Sequence, residues 1–256
     1  MKYSGLYFIN NPSTNLDASL NLVTTLVQSI DTTWPNALRQ SPWSLQYRLF
    51  RDTIPPRNAP ATDAEGKTVP YAHTLQHILH NSSLDKDRTY ICIQPPNGAP
   101  TVNTIPLRQQ EPHALLLRHQ FSALWQPRHV LQLPQGVFYK AGLCDILLGE
   151  LRSSREGPQS AGVQSPGVLV CITTTIGADD LEDWQKKGKS VPEEEEEEPD
   201  FDWAQAVIRD CWNKIKSGQN LGKSEVKEVM MDTNTVNKHE NETAARMWCE
   251  AIRLRG

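Results

Sequence analysis

The chain has 256 residues, of which 38% are apolar, and its 26 basic and 30 acidic side chains leave a formal net charge of −4. That balance argues against a strongly basic nucleic-acid surface or a cationic membrane surface. No run approaches the ~18 consecutive apolar residues of a membrane-spanning helix, and the N-terminus lacks the basic and apolar segments of a secretory signal.

In chain order, Tyr3–Ile9 reads as a strand ended by Asn10-Asn11-Pro12. Ser13 or Asn15 can cap a following helix, in which Leu16, Leu20, Val23, Val27 and Ile30 recur at spacings of three and four. Trp43–Phe50 alternates, with Trp43, Leu45, Tyr47 and Leu49 on one face, as a half-buried strand should. Residues 54–70, rich in Pro, Asp and Gly, read as a loop, and Tyr71–Leu79 as a short helix. Arg88–Gln94 is a strand closed by Pro95-Pro96-Asn97-Gly98. Pro112–Trp125 reads as a helix with Leu116, Leu117, Phe121 and Leu124 on one side.

From His129 onward the pattern is sheet, and Gly136–Ile176 is its longest regular stretch. There Val137, Tyr139 and Ala141 alternate with Phe138 and Lys140, the turn at Gly142 leads into Asp145-Ile146-Leu147-Leu148, and Pro166-Gly167 opens Val168–Ile172. Residues 155–166 are expected to be a polar loop, and residues 178–200, with eleven acids against three lysines, an acidic linker. Asp202–Lys216 reads as a helix with Val207, Ile208, Cys211, Trp212 and Ile215 on its apolar side. Residues 217–239 read as a polar linker, and Glu240–Leu254 as a last amphipathic helix around Ala244, Met247, Trp248, Ala251 and Ile252.

Strands and helices do not alternate strictly. An α+β fold is expected, a single domain over residues 1–256 with an antiparallel β-barrel, closed or nearly closed, and helices packed outside it.

The candidate chemistry is thin. Gly218-Gln-Asn-Leu-Gly222-Lys223-Ser224 is one residue short of a P-loop and lacks the strand that must feed one, so it reads as a solvated linker. His73, His77 and His80 would share a face of the expected helix, but nothing nearby completes a tetrahedral zinc set. The five cysteines are scattered, with no C-x-x-C pair, as buried free thiols of a reducing compartment would be. Asp145 and Glu150, five apart, fall on opposite faces of one strand. No catalytic set, metal site or cofactor site is expected. In the strands around Phe138 and Leu147 both faces are apolar, so Phe138, Tyr139 and Leu147 are the candidate partner contacts, unless helices cover them.

The run Gly136-x-x-Tyr139-x-x-Gly142 leading to Asp145-Ile-Leu-Leu-Gly-Glu-Leu-Arg152, then Ser165-Pro-Gly-Val-Leu-Val-Cys-Ile172, resembles the central hairpin region of subunit 20 of the Mediator complex of RNA polymerase II transcription. The family's Gly-Asp pair is split here by Leu143-Cys144. Gly5-Leu-Tyr-Phe-Ile9, Trp43–Thr53 and Asp210-Cys-Trp212 are similar to fungal members, so the likeness covers most of residues 1–216 in order. The resemblance implies an antiparallel barrel flanked by helices in a nuclear, non-enzymatic subunit of the Mediator head module. Such a subunit would pair with subunit 18, be tethered through subunit 8, and relay activator signals to the polymerase initiation machinery, with no direct nucleic-acid or membrane contact. The barrel class is also similar to the triphosphate tunnel enzymes, but their acidic metal-binding strand has no counterpart in Tyr3–Ile9, which carries no carboxylate. An adaptor of another complex is the third alternative.

Overall fold

The computed structural model describes residues 1–53, 71–154, 162–176, 201–219, 221, 223–236 and 239–253. The expected loop 54–70, residues 155–161 of the expected loop 155–166, and the acidic linker 178–200 lie outside the described residues; Gln164–Pro166 already belongs to a strand. The elements run β1 (Lys2–Asn10), α1 (Leu16–Thr33), β2 (Leu38–Arg39), β3 (Trp43–Asp52), β4 (Leu75–Asn81), β5 (Arg88–Gln94), β6 (Thr101–Pro106) and α2 (Gln110–Leu115). They continue with β7 (Trp125–Ala141), β8 (Cys144–Ser154), β9 (Gln164–Thr175), α3 (Phe201–Lys216), β10 (Val226–Met230), α4 (Thr233–Val236) and α5 (Glu240–Ile252).

One antiparallel sheet carries the fold, in the order β10-β1-β9-β8-β7-β3-β4-β5-β6, with β2 added beside β7. It is open rather than closed, because β10 and β6 are its two edges and do not pair. The sheet curls nonetheless. Helix α5 packs against β1 and β10 at one end of the strand order and against β4, β5 and β6 at the other.

Strand periodicity sorts the side chains onto two faces. Leu6, Leu147 and Cys171 lie in register on the inner face, where Trp43, Tyr47 and Leu133 join them; Gly5, Ile172, Ile146 and Tyr139 lie in register on the outer face. Helices α1 and α3 cover the outer face over β1, β8 and β9. Tyr7 stacks there on Trp212 of α3, with ring centroids 4.6 Å apart. A smaller outer cluster under α2 holds Phe50, Ile78, Ile91, Ala114 and Leu117. The inner face closes on α5, whose Ala244, Ala245, Met247, Trp248, Cys249, Ala251 and Ile252 are all buried. The expectation that every helix packs outside the sheet is thus corrected: α5 fills it.

Local chemistry accounts for most of the boundaries. Asn15 caps α1 by accepting from the Asp17 backbone N–H at 2.9 Å, and the helix stops at Trp34, before Pro35. Its buried line is Ser19, Leu26, Ser29 and Ile30, with Leu20 left exposed; Ser29 donates to the Ile215 carbonyl of α3 at 2.6 Å.

Three expectations are overturned. Tyr71–Leu79 is not a helix, since Leu75–Asn81 is strand β4, buried on both faces, so its apolar residues do not alternate. The polar linker 217–239 contains β10, an edge strand whose Lys227 and Glu228 suit an edge that must not pair further. The helix expected over Pro112–Trp125 begins earlier, as α2, and continues only as a widened turn through Leu116–Gln120; Trp125 opens β7.

Gly136 tests the inner packing. A Cβ there would fall on the Trp43 indole nitrogen and 2.9 Å from the Leu148 carbonyl oxygen, while that indole donates to Val137 O at 3.1 Å. Gly136→Ala is expected to cost about 1–3 kcal/mol as a shift of the urea midpoint. An unchanged midpoint would show that the indole is not held there.

Candidate interaction surfaces

The three residues expected to meet a partner sit where β7 and β8 pair. Phe138 lies directly opposite Leu147 on the inner face, and Tyr139 opposite Ile146 on the outer. Tyr139 is 3% exposed and Leu147 7%, because the outer face is covered by α1 and α3 and the inner by α5. Phe138 is half-buried, and with Leu147 it lines a small inner cavity of about 130 Å³ beside Trp248 and Ala244 of α5. The chain's own helices therefore account for the two-sided apolar pattern of these strands.

The histidine set is dispersed. His77 faces inward and shares a 2.8 Å hydrogen bond with the Tyr47 hydroxyl. His80, three residues on and so on the opposite face, bonds the Arg88 carbonyl at 2.9 Å through Nδ1. His73 precedes β4 and lies 2.7 Å from Asp52 Oδ1. Among the described residues no three His, Cys, Asp or Glu side chains come together as a metal site. The Gly218–Ser224 stretch follows α3 and leads into β10, with Gly218 at φ +71°, so the strand–loop–helix order of a phosphate cradle is absent. All five cysteines are buried and unbridged, and burial pushes the Cys171 thiol up to about 12, which keeps it protonated and inert. Glu150, buried on β8, is paired with Arg152 at 3.2 Å.

Accessible chemistry lies elsewhere. A concavity of about 890 Å³ opens at the C-terminal end of α5. Phe8, Leu49 and Leu75 are among its apolar lining; Arg51, which pairs with Leu75 across β3 and β4, Arg128, Lys227 and Arg253 line it together with Glu225 and Glu250. Lys227 reaches the Glu250 carbonyl at 2.8 Å and its carboxylate at 3.4 Å, and Arg253 lies 3.9 Å from that carboxylate. An apolar groove of about 430 Å³ runs between the end of α1, the β7–β8 turn and α3, lined by Trp34, Leu143 and Val207. Leu115, at the end of α2, and Phe121 and Leu124, which follow it, are also exposed. No sequence pattern marks the cavity, because its lining comes from six separate elements and carries no local motif; the only local signal is the charge of Arg51 and Arg128 near strand ends.

The fold is thus a curled antiparallel sheet filled by its own helix, with clefts and exposed apolar side chains at its surface. The chain belongs to the family described as the TATA-binding related factor (TRF) of subunit 20 of the Mediator complex, whose profile matches residues 1–249. It is therefore a structural Mediator subunit in transcription regulation and not an enzyme. No curated protein sequence matches the chain. Among solved structures, the PH1012 protein from Pyrococcus horikoshii OT3 is similar at 10% identity and a TM-score of 0.41, over 88% of this chain and 94% of that one. The PH1819 protein of the same organism is similar at 10% identity and a TM-score of 0.33, over 89% and 93%. At these scores neither likeness bears on fold or function. No helix among the described residues is long and apolar enough to cross a membrane.

Proposed function

We propose that the chain acts as one domain in the nuclear Mediator head module, paired with subunit 18, tethered through subunit 8, and relaying activator signals to RNA polymerase II and its initiation machinery through protein contacts alone. The observation that carries this is the family match across residues 1–249, which spans the whole sheet and all but the end of α5. The resemblance of the Gly136–Ile172 region to the family's central hairpin supports the pairing with subunit 18. Phe138, with Leu147 beneath the same rim and Tyr139 anchoring the strand from the other face, is the contact we assign to that partner. Of the three, Phe138 has surface to offer.

Affinity purification of the tagged chain from nuclear extract, read by mass spectrometry, tests the assignment. Subunits 18 and 8 should be recovered together with it, and recovery with another complex, or with no Mediator subunit, would overturn the reading. Phe138→Asp, shown to be folded by its melting curve, should lose subunit 18. Undiminished recovery would exclude that surface.

A further inference from the structure

The cavity at the C-terminal end of α5 is built from segments that lie far apart in the sequence. Phe8 of β1, Leu49 and Arg51 of β3, Leu75 of β4 and Arg128 of β7 face one another across a volume of about 890 Å³. Its charge is unbalanced: the two acids on its wall face four cations. The imbalance is local as well as numerical. Lys227 and Arg253 are engaged with Glu250 and the end of α5. Arg51 and Arg128 have no carboxylate within ion-pair distance among the described residues. The Arg51 Nε is buried with no hydrogen-bond acceptor, so nothing in the described chain holds this guanidinium. A partly buried, unpaired guanidinium such as that of Arg51 attracts carboxylates more strongly than an exposed one does, and Arg128 adds an exposed positive charge to the same lining.

We propose that this cavity is a docking site for an acidic peptide segment of a partner protein that carries bulky apolar side chains. Its leucine or phenylalanine side chains would lie against Phe8, Leu49 and Leu75, and its carboxylates on Arg51 and Arg128. The apolar side chains in the lining are what favours such a peptide over a small inorganic anion, which would gain nothing from them. The volume is within the ~300–1,000 Å³ range of sites that enclose a ligand's surface, enough for several side chains rather than a whole folded domain. The site stands on the fold alone, so failure of the Mediator co-purification would leave it standing, and failure here would leave that assignment standing.

The test is fluorescence anisotropy with the purified full chain and a short labelled peptide alternating aspartate with leucine and phenylalanine. Saturable binding is expected. Arg51→Gln with Arg128→Gln should weaken it about tenfold or more, as loss of charge-assisted hydrogen bonds does. Arg128→Gln alone, at an exposed position where folding is not at stake, should weaken it several-fold. Peptides with asparagine in place of aspartate, or serine in place of the apolar residues, should each bind at least tenfold more weakly. Binding that ignores both arginine substitutions, or that persists in the serine peptide, would overturn the proposal. So would arginine-dependent binding of inorganic tripolyphosphate by a chain that does not bind the peptide, which would make this a small-anion site.

Discussion

Trp248→Ala is expected to remove about 3–5 kcal/mol of folding stability, the range for truncating a large buried aromatic residue. Trp248 is 1% exposed and sits on the helix that fills the sheet. Its ring lies 5.5 Å from that of Trp43, whose indole N–H in turn donates to the β7 backbone at Val137. The truncation would open a void where α5, β3, β7 and β8 converge, and a packed strand framework relaxes only partly around such a void. Against the ~5–15 kcal/mol that holds a typical domain together, this is a large fraction of the total. Urea unfolding followed by circular dichroism measures it, with Leu143→Ala as the reference. Leu143 is 57% exposed in the β7–β8 turn, and its loss should change stability by about 0.5 kcal/mol or less. Equal, small effects from both substitutions would mean that α5 does not occupy the interior.

The elements legible in the sequence are those in which one face is buried and the other wet. β3 is such a strand: Trp43, Leu45, Tyr47 and Leu49 are buried, and Gln46 is exposed between them. The amphipathic helices α1, α3 and α5 were legible for the same reason, at period 3.6. β4 was not. With α5 on one side and the α2 cluster on the other, its Ile78 and Leu79 are buried and Leu75 half-buried, and their spacing of three and one mimics a helix. β10 was hidden by the opposite circumstance, since an edge strand with charged side chains has the composition of a loop. The open state of the sheet and the placement of α5 inside it depend on non-local pairing, which no local pattern encodes. Apolar residues on both faces of β7 and β8 were read correctly, but the same pattern serves a strand between two helix layers and a strand awaiting a partner; Tyr139 and Leu147 are buried by the chain's own helices, while half-buried Phe138 keeps some surface. Family membership was legible because the Gly136–Arg152 order survives as a run of residues, and it holds over residues 1–249.

Stability should fall as pH is lowered from about 6.5 to about 4, with His77 as a principal cause. The imidazole is 1% exposed on the inner face of β4, its Nδ1 bonded to the Tyr47 hydroxyl and its Nε2 buried without a hydrogen bond of good geometry among the described residues. Burial first, and then the positive charge of Arg253, holds its pKa at about 4 instead of the ordinary value near 6.5. The sign follows from where the proton binds. Above about 6.5 both folded and unfolded chains keep the ring neutral, and the full contribution is present. Between the two values the unfolded chain takes up a proton that the folded chain refuses, so the unfolded state gains and stability is lost as pH falls; below about 4 both bind it and the loss levels off. At about 1.4 kcal/mol for each unit of separation, the full loss is on the order of 3 kcal/mol. Burial also lowers the pKa values of His113 and His129, and both add in the same direction. Urea unfolding at pH 7, 5.5 and 4.5 resolves the window. His77→Gln, which cannot titrate, is expected to be less stable at neutral pH because its geometry toward Tyr47 is altered, yet to lose less on acidification than the parent chain. A variant that declines as steeply as the parent would show that the proton is taken up elsewhere.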